Sequence, residues 1–187
     1  MQPLLPTITP RLELIPATTA MLSADRNDRR DLGRLLDAAI PPSWPPPLLD
    51  DATLAELVRL QEEGSDPNFC TWYWILTKDN GGDTSHRTLI GSGGSASCPA
   101  APDTVMIGYS VLDEFQGKGY ATEALHHLIP VLFRYQGIRK ILATTNPELK
   151  ASIRILEKNG FVPAGHREGG TGMEEGTLAY VLVRPDE

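Results

Sequence analysis

The sequence predicts one α/β or α+β sheet domain. Three observations predict it. Two nearly all-apolar runs, 105–112 (VMIGYSVL) and 138–145, have the composition of strands buried on both faces. A glycine turn between them leads into a helical pattern over 117–137, and another helical pattern follows the second run. Ahead of both lie segments rich in aromatic and β-branched residues. The 187 residues suit a single domain over 1–187, long enough to bury a core without disulfide or metal staples.

In chain order, Arg11-Leu12-Glu13-Leu14-Ile15 alternates polar and apolar and is closed by Pro16, as a short strand should be. Residues 27–40 carry Leu32, Leu35, Leu36 and Ile40 on one helical face. The prolines of 41–47 forbid helix and demand an extended connection around Trp44. Asp50 or Asp51 caps a helix through Leu54, Leu57 and Val58 that stops at Gly64. Residues 69–77 read as a strand, 79–85 as a turn or loose hairpin tip, and 88–97 as a glycine-weakened strand with a bulge or a close backbone approach. In the helix over 117–137, Pro130 removes a backbone donor and predicts a kink. Asn146-Pro147-Glu148 has the pattern of an N-cap, first position and acidic first turn. That helix runs to Gly160, and strands follow at Phe161-Val162 and 178–183.

Composition excludes several functions. Seventeen Lys plus Arg against 24 Asp plus Glu gives a net charge of −7, a poor footprint for nucleic acid. Cys70 and Cys98 make neither a disulfide framework nor a Cys-rich zinc site and suit a reducing compartment. Neither His86 nor His166 has a metal-ligand partner at useful spacing, and His126 and His127 lie mid-helix and cannot both face inward, so no metal is expected. The first ten residues, MQPLLPTITP, lack the basic start of a signal peptide, and no run reaches the roughly 18 apolar residues of a membrane span. The expected location is the cytoplasm, with no membrane partner.

The chemistry concentrates at 105–125. A buried strand ends, and Gln116-Gly117-Lys118-Gly119-Tyr120-Ala121 feeds straight into a helix. Small residues let backbone approach a ligand, and the leading amides of a helix bind phosphate or pyrophosphate. Lys118 adds a point charge. The NTPase loop is ruled out, because Gly119 follows Lys118 where that loop requires Ser or Thr. The dinucleotide fingerprint fails at Thr122. An ordinary glycine turn capping a helix stays open on these residues alone.

The same loop resembles the Q/R-x-x-G-x-G/A coenzyme A pyrophosphate loop of the GNAT superfamily of acyl-CoA N-acyltransferases. The blocks Leu89-Ile90-Gly91-Ser92-Gly93-Gly94, Ile107-Gly108-Tyr109-Ser110-Val111-Leu112, Gly119-Tyr120-Ala121-Thr122-Glu123-Ala124-Leu125 and Ala151-Ser152-Ile153-Arg154-Ile155-Leu156-Glu157-Lys158-Asn159-Gly160-Phe161 follow in order. They resemble the branch that includes acetyltransferases of ribosomal-protein N-termini, as does the opening Thr9-Pro10-Arg11-Leu12. The resemblance implies a mixed, mostly antiparallel six- to seven-stranded sheet flanked by about four helices. Its two central strands, 105–112 and 138–145, would run parallel and splay.

The resemblance also implies an acetyl-CoA cosubstrate and a primary-amine acceptor. Pantetheine would lie in the splay against backbone of Ser110, Val111 and Leu112. Pyrophosphate would sit on Gln116, Gly117, Lys118, Gly119, Tyr120, Ala121 and Thr122, with Asn146 and Ser152 near the thiol. Leu149 replaces the branch's asparagine three residues before the helix serine, and Leu156 replaces the superfamily's acidic tyrosine. Ser152 is then the nearest proton donor, and the Val111 amide the oxyanion donor. The competing reading of Ser152 is a helix serine bonded to the preceding turn.

Trp72 and Trp74 share a strand face by their spacing, and core packing is the first reading of both. Together with Trp44 they are candidates for an amine-binding aromatic wall. Asp113 and Glu114 read as loop acids, and Glu123 as support for its helix. Two functions are expected to compete: transfer of an acetyl group to an amine, and acetyl-CoA sensing without turnover. The enzyme would be a monomer or a homodimer.

Overall fold

The computed structural model describes residues 4–47, 49–79, 82–166 and 177–185. Among these the chain forms β1 (Thr7–Ile8), β2 (Leu12–Pro16), α1 (Thr19–Asn27), α2 (Arg29–Leu36), α3 (Asp51–Glu63), β3 (Cys70–Asp79), β4 (Gly82–Ser97), β5 (Thr104–Val111), α4 (Tyr120–Leu132), β6 (Lys140–Thr145), α5 (Lys150–Lys158), β7 (Val162–His166) and β8 (Leu178–Val183). A 3-10 turn at Asp113–Phe115 follows β5. The described strands form one eight-stranded sheet in the order β1-β2-β3-β4-β5-β6-β8-β7. Among the described strands only β5 and β6 pair in parallel, and one isolated parallel bridge joins Ala39 to Thr88. This is the mixed, mostly antiparallel sheet expected, with β1 as an added edge strand.

The alternation of β3 builds two cores. Trp72, Trp74 and Leu76 face α4 and α5, together with Leu12, Leu14, Leu125, Leu128 and Leu156. Tyr73 and Ile75 face α1–α3, with Leu22, Leu32, Leu36 and Leu54. The sheet is therefore covered on both faces, and its ends are left for a site.

The glycines of β4 provide close approach. A Cβ on Gly91 would lie 2.7 Å from the Ser110 carbonyl oxygen, and one on Gly93 would lie 2.9 Å from the Trp74 ring. The register also shifts beside Gly91: Trp74 pairs with Gly91 and Ile75 with Leu89, which leaves Ile90 bulged. Asp50 caps α3 through the Thr53 amide at 2.8 Å, and Gly64 ends it at φ 57°.

Two helix expectations are corrected. The helix expected over 27–40 is only α2, Arg29–Leu36: Asn27 ends α1, the left-handed Asp37 ends α2 at φ 48° so that Ile40 lies beyond it, and between the helices Asp28 is extended and accepts from the Arg30 and Asp31 amides at 3.0 and 3.3 Å. An Asp in this role stabilises a new helix start more than it continues the old helix. Asn146 does not cap α5. Its side chain accepts from the Glu148 amide at 2.9 Å, and its carbonyl accepts from the Leu149 amide at 2.9 Å. Pro147 thus sits at the second position of a β-turn, and α5 starts only at Lys150. Pro130 lies inside α4, two residues from its end.

Candidate active site

The parallel pairing of β5 with β6 runs from Thr104↔Lys140 to Ile107↔Ala143 and stops there. β5 continues along β4 to Val111, and β6 continues along β8 to Thr145. The two strand ends diverge, so the expected splay is present. The Leu112 amide donates to Ile90 O at 2.9 Å, and Cys98 N donates to Thr104 O at 3.1 Å. With the β4–β5 register, these bonds fix the ladder's phase: Ser110 and Leu112 bond β4, whereas the peptide groups of Tyr109 and Val111 face the gap. The Val111 carbonyl accepts from the Gln116 side chain at 3.0 Å, and that same amide nitrogen donates to Asp113 at 2.9 Å. Gln116 thereby fastens the loop to the end of β5.

Gly117 and Gly119 take φ values of 74° and 83°, which strain any residue with a Cβ. Gly119 stands at the N-cap position of α4 with no side-chain cap. The bond that opens the helix runs from Glu123 N to Gly119 O at 3.1 Å, so the amides of residues 120–122 lead the helix. A Cβ on Gly117 would meet open space. This is a backbone cradle with the positive end of a helix dipole behind it, and it fits a pyrophosphate. Tyr120 and Ala121 bury their side chains, so they can contribute only backbone. Lys118 is exposed, its ammonium 5.4 Å from the Phe115 ring centre.

A second layer supports this loop. Glu123 accepts from Thr9 Oγ1 at 2.6 Å, from the Arg11 amide at 2.8 Å and from Arg11 Nε at 2.6 Å. Burial works to raise this carboxyl, but the Thr9 and Arg11 bonds outweigh it and hold it below the usual carboxylate range. Arg11 also donates to Lys118 O at 3.0 Å. The sequence reading gave Arg11 no role beyond the opening motif. No local pattern signals a contact across more than a hundred residues.

Ser152, half-buried in the first turn of α5, lies 3.1 Å from the Tyr109 hydroxyl. Tyr109 stacks on Trp74 at 6.3 Å and 22°. Burial pushes the phenol up and the Ser152 contact lowers it less, so Tyr109 stays protonated and can donate. The sequence reading placed Tyr109 in a motif but missed this pairing. Leu156 is fully buried in the core. Asn146 lies exposed just past β6, with its side chain engaged in its own turn.

The three tryptophans do not make one wall. Trp72 and Trp74 lie in the core under α4, and Trp44 lies in the other core, across the sheet. All three are at most 1% exposed. Trp44 Nε1 and the Tyr73 hydroxyl both donate to buried Asp25, at 2.7 and 2.8 Å, which pins the proline strap to α1. Sequence spacing alone could not assign Trp44 to a face. Glu114 bonds Ser43 of that strap. Cys70 and Cys98 are buried free thiols, and burial pushes Cys70 up to about 12. Among the described residues no His, Cys, Asp and Glu group could hold a metal ion, and no helix is long and apolar enough to cross a membrane.

A splayed parallel pair with a glycine cradle at its mouth defines an acyl-CoA-binding type of fold. The family model described as "Acetyltransferase (GNAT) domain" matches residues 16–162, and the chain belongs to that superfamily. It is 31% identical over 94 residues to the probable N-acetyltransferase YjcK of Bacillus subtilis, an alignment covering 46% of this chain. The chain spans about half the length of that relative (50%). Its fold is similar to that of RimL, a ribosomal-protein α-N-acetyltransferase solved with coenzyme A, with a TM-score of 0.62 and 18% identity over 94% of this chain and 96% of that one. The aminoglycoside acetyltransferase AAC(6′)-Ib, also solved with coenzyme A, has a TM-score of 0.62 and 18% identity over 92% and 95%.

Proposed function

We propose that the chain is an acetyl-CoA-dependent N-acetyltransferase, a single domain that moves an acetyl group directly onto a primary amine in the cytoplasm. One observation carries this reading: β5 and β6 stop pairing at Ile107↔Ala143, the gap-facing Val111 peptide and Tyr109 lie on β5 beyond that point, Tyr109 reaches Ser152 after β6 at 3.1 Å, and the glycine turn follows β5. The amides of 117–122 hold the pyrophosphate, and Lys118 adds one exposed charge. Gap-facing peptides of Tyr109 and Val111 hold the pantetheine arm. Bound acetyl-CoA supplies a thioester already reactive toward a neutral amine.

The chain's own residues then have three tasks. Alignment of donor and acceptor supplies much of the rate. The Val111 amide stabilises charge on the carbonyl oxygen. Ser152, with its oxygen held by Tyr109, gives its proton to the departing sulfur. No covalent enzyme intermediate is needed, and a Cys70 thiol near pKa 12 is a poor nucleophile at neutral pH.

The acceptor favoured is an α-amine. Neutralising a lysine-type amine at pH 7 costs about 4.6 kcal/mol, against about 1 to 1.4 kcal/mol for an α-amine. Asp113 bonds Gln116 and Glu114 bonds Ser43, and neither is set up as a base. Glu174 and Glu175 lie outside the described residues. RimL and AAC(6′)-Ib mark the two acceptor types in contention, a protein α-amine and a small-molecule amine. The second reading is an acetyl-CoA sensor without turnover. It is favoured by Leu156, buried where the superfamily commonly places its acidic tyrosine. Release of free CoA thiol with an amine panel tests the pair: a sensor only melts at a higher temperature with acetyl-CoA.

A further inference from the structure

We infer that Arg11 is a positioning residue for the cofactor loop, orienting the Gly119 amide toward the pyrophosphate by holding the Lys118 carbonyl from behind. This rests on the proposed role of 117–122 as the pyrophosphate cradle. One planar guanidinium makes both bonds: Nε donates to Glu123 Oε2 at 2.6 Å, and Nη1 donates to Lys118 O at 3.0 Å. Its carbon sits 4.5 Å from the Tyr120 ring centre. Nη2 lies 3.5 Å from where a Gly119 Cβ would stand. The Arg11 amide and Thr9 Oγ1 complete the clamp on Glu123 at 2.8 and 2.6 Å. The side chains of Arg11 and Glu123 are only 22% and 12% exposed, so the pair is largely shielded from water.

The consequence follows from peptide geometry. In a planar trans peptide, the carbonyl of Lys118 and the N–H of Gly119 point in opposite directions. Fixing the carbonyl on Arg11 therefore turns the N–H away from Arg11, out of the loop's supported side. The plane needs such a brace because its rotation depends on ψ of Lys118 and φ of Gly119, and Gly119 is left-handed at φ 83° with no Cβ to restrict it. A rotated plane would offer a carbonyl oxygen to an anion in place of a donor. Lysine cannot replace arginine here: it has one compact ammonium and no fork to span a carboxylate and a carbonyl.

The test uses the full chain with Arg11→Lys and Arg11→Ala. Both are expected to weaken CoA binding roughly tenfold by calorimetry, the loss of one charge-assisted bond. They should raise KM for acetyl-CoA likewise, with kcat within about twofold. Transfer from acetyl-pantetheine, which has no pyrophosphate, should keep its kcat/KM within about twofold. Amide hydrogen exchange at 117–122 should quicken in the apo variants while the central strands keep their protection. Equal losses on both donors would mean damage to the sheet and overturn the inference. Wild-type affinity in Arg11→Lys would mean that charge alone matters, and would overturn it too. If wild-type protein binds CoA but turns over no amine, the enzymatic reading fails while calorimetry still decides the brace. If it binds no CoA, the exchange rates of 117–122 decide it: unchanged rates refute the brace.

Discussion

The hydroxyl of Tyr109, on the last residues of β5, lies 3.1 Å from the Ser152 hydroxyl in the first turn of α5. These groups come from opposite sides of the splay, so the contact exists only when both strand ends are in place. Their order decides the chemistry. The phenol has two acceptors in reach, Ser152 Oγ at 3.1 Å and the Ser152 carbonyl oxygen at 3.4 Å; when it donates to Oγ, the serine proton is free for the leaving sulfur.

Ser152→Ala is therefore expected to lower kcat by about 10² with little change in acetyl-CoA affinity. Tyr109→Phe should lower it roughly fivefold, the loss of one neutral hydrogen bond, while keeping the stack on Trp74. The double variant should be no slower than Ser152→Ala alone, because both changes remove one unit. Steady-state kinetics on the three variants checks this; additive losses would separate the two residues.

At the cradle, Gly119→Glu is expected to abolish detectable CoA binding. It forces a Cβ residue to φ 83° and places an anion against the pyrophosphate. Lys118→Ala should weaken binding only a few-fold, because the charge is exposed. Calorimetry reads both, with circular dichroism to verify the fold. Tight binding by the Gly119 variant would move the site elsewhere.

Much of this cradle was legible from sequence, and the reasons are local. A strand, two glycines and a helix start are neighbours in the chain, so their geometry follows from φ freedom and helix-end amides. The same holds for Asp50 and Gly64 at the ends of α3 and for the close approaches of Gly91 and Gly93. What stayed hidden was non-local. Glu123 meets Arg11 across 112 residues, and Ser152 meets Tyr109 across 43. No periodicity reports such pairs. Trp44 was misplaced for a related reason: an extended proline segment has no face of its own, and buried Asp25 decides where its indole goes. Asn146 misled because an N-cap and a proline turn begin with the same residues.

A direct mechanism predicts that the Cys70→Ala/Cys98→Ala double variant keeps turnover within about twofold. With Cys70 pushed up to about 12, roughly one thiol in 10⁵ is ionised at pH 7. Some stability should be lost, since both side chains are buried. Bisubstrate initial-rate plots should intersect. Parallel lines, or an acetylated cysteine in the mass spectrum, would require a covalent intermediate.

Acid stability offers a test of the Glu123 clamp. The folded-state pKa lies below its unfolded value near 4.3, so the clamp contributes fully above that value. The contribution fades as pH falls through the lower, folded value. Glu123→Gln should accordingly lose stability near neutral pH and show a shallower decline between about pH 5 and 3. Urea midpoints across that range provide the comparison. A wild-type acid limb unaltered by the substitution would exclude Glu123 as a contributor.

The most direct measurement is release of free CoA thiol from acetyl-CoA with a panel of amines: peptides with free α-amines, lysine-type amines, polyamines and aminoglycosides. Transfer to a primary amine predicts thiol release in step with acetylated product, fastest for an acceptor whose amine pKa lies near 8. Acetyl-CoA that raises the melting temperature while no amine releases thiol would contradict catalysis and leave a sensor.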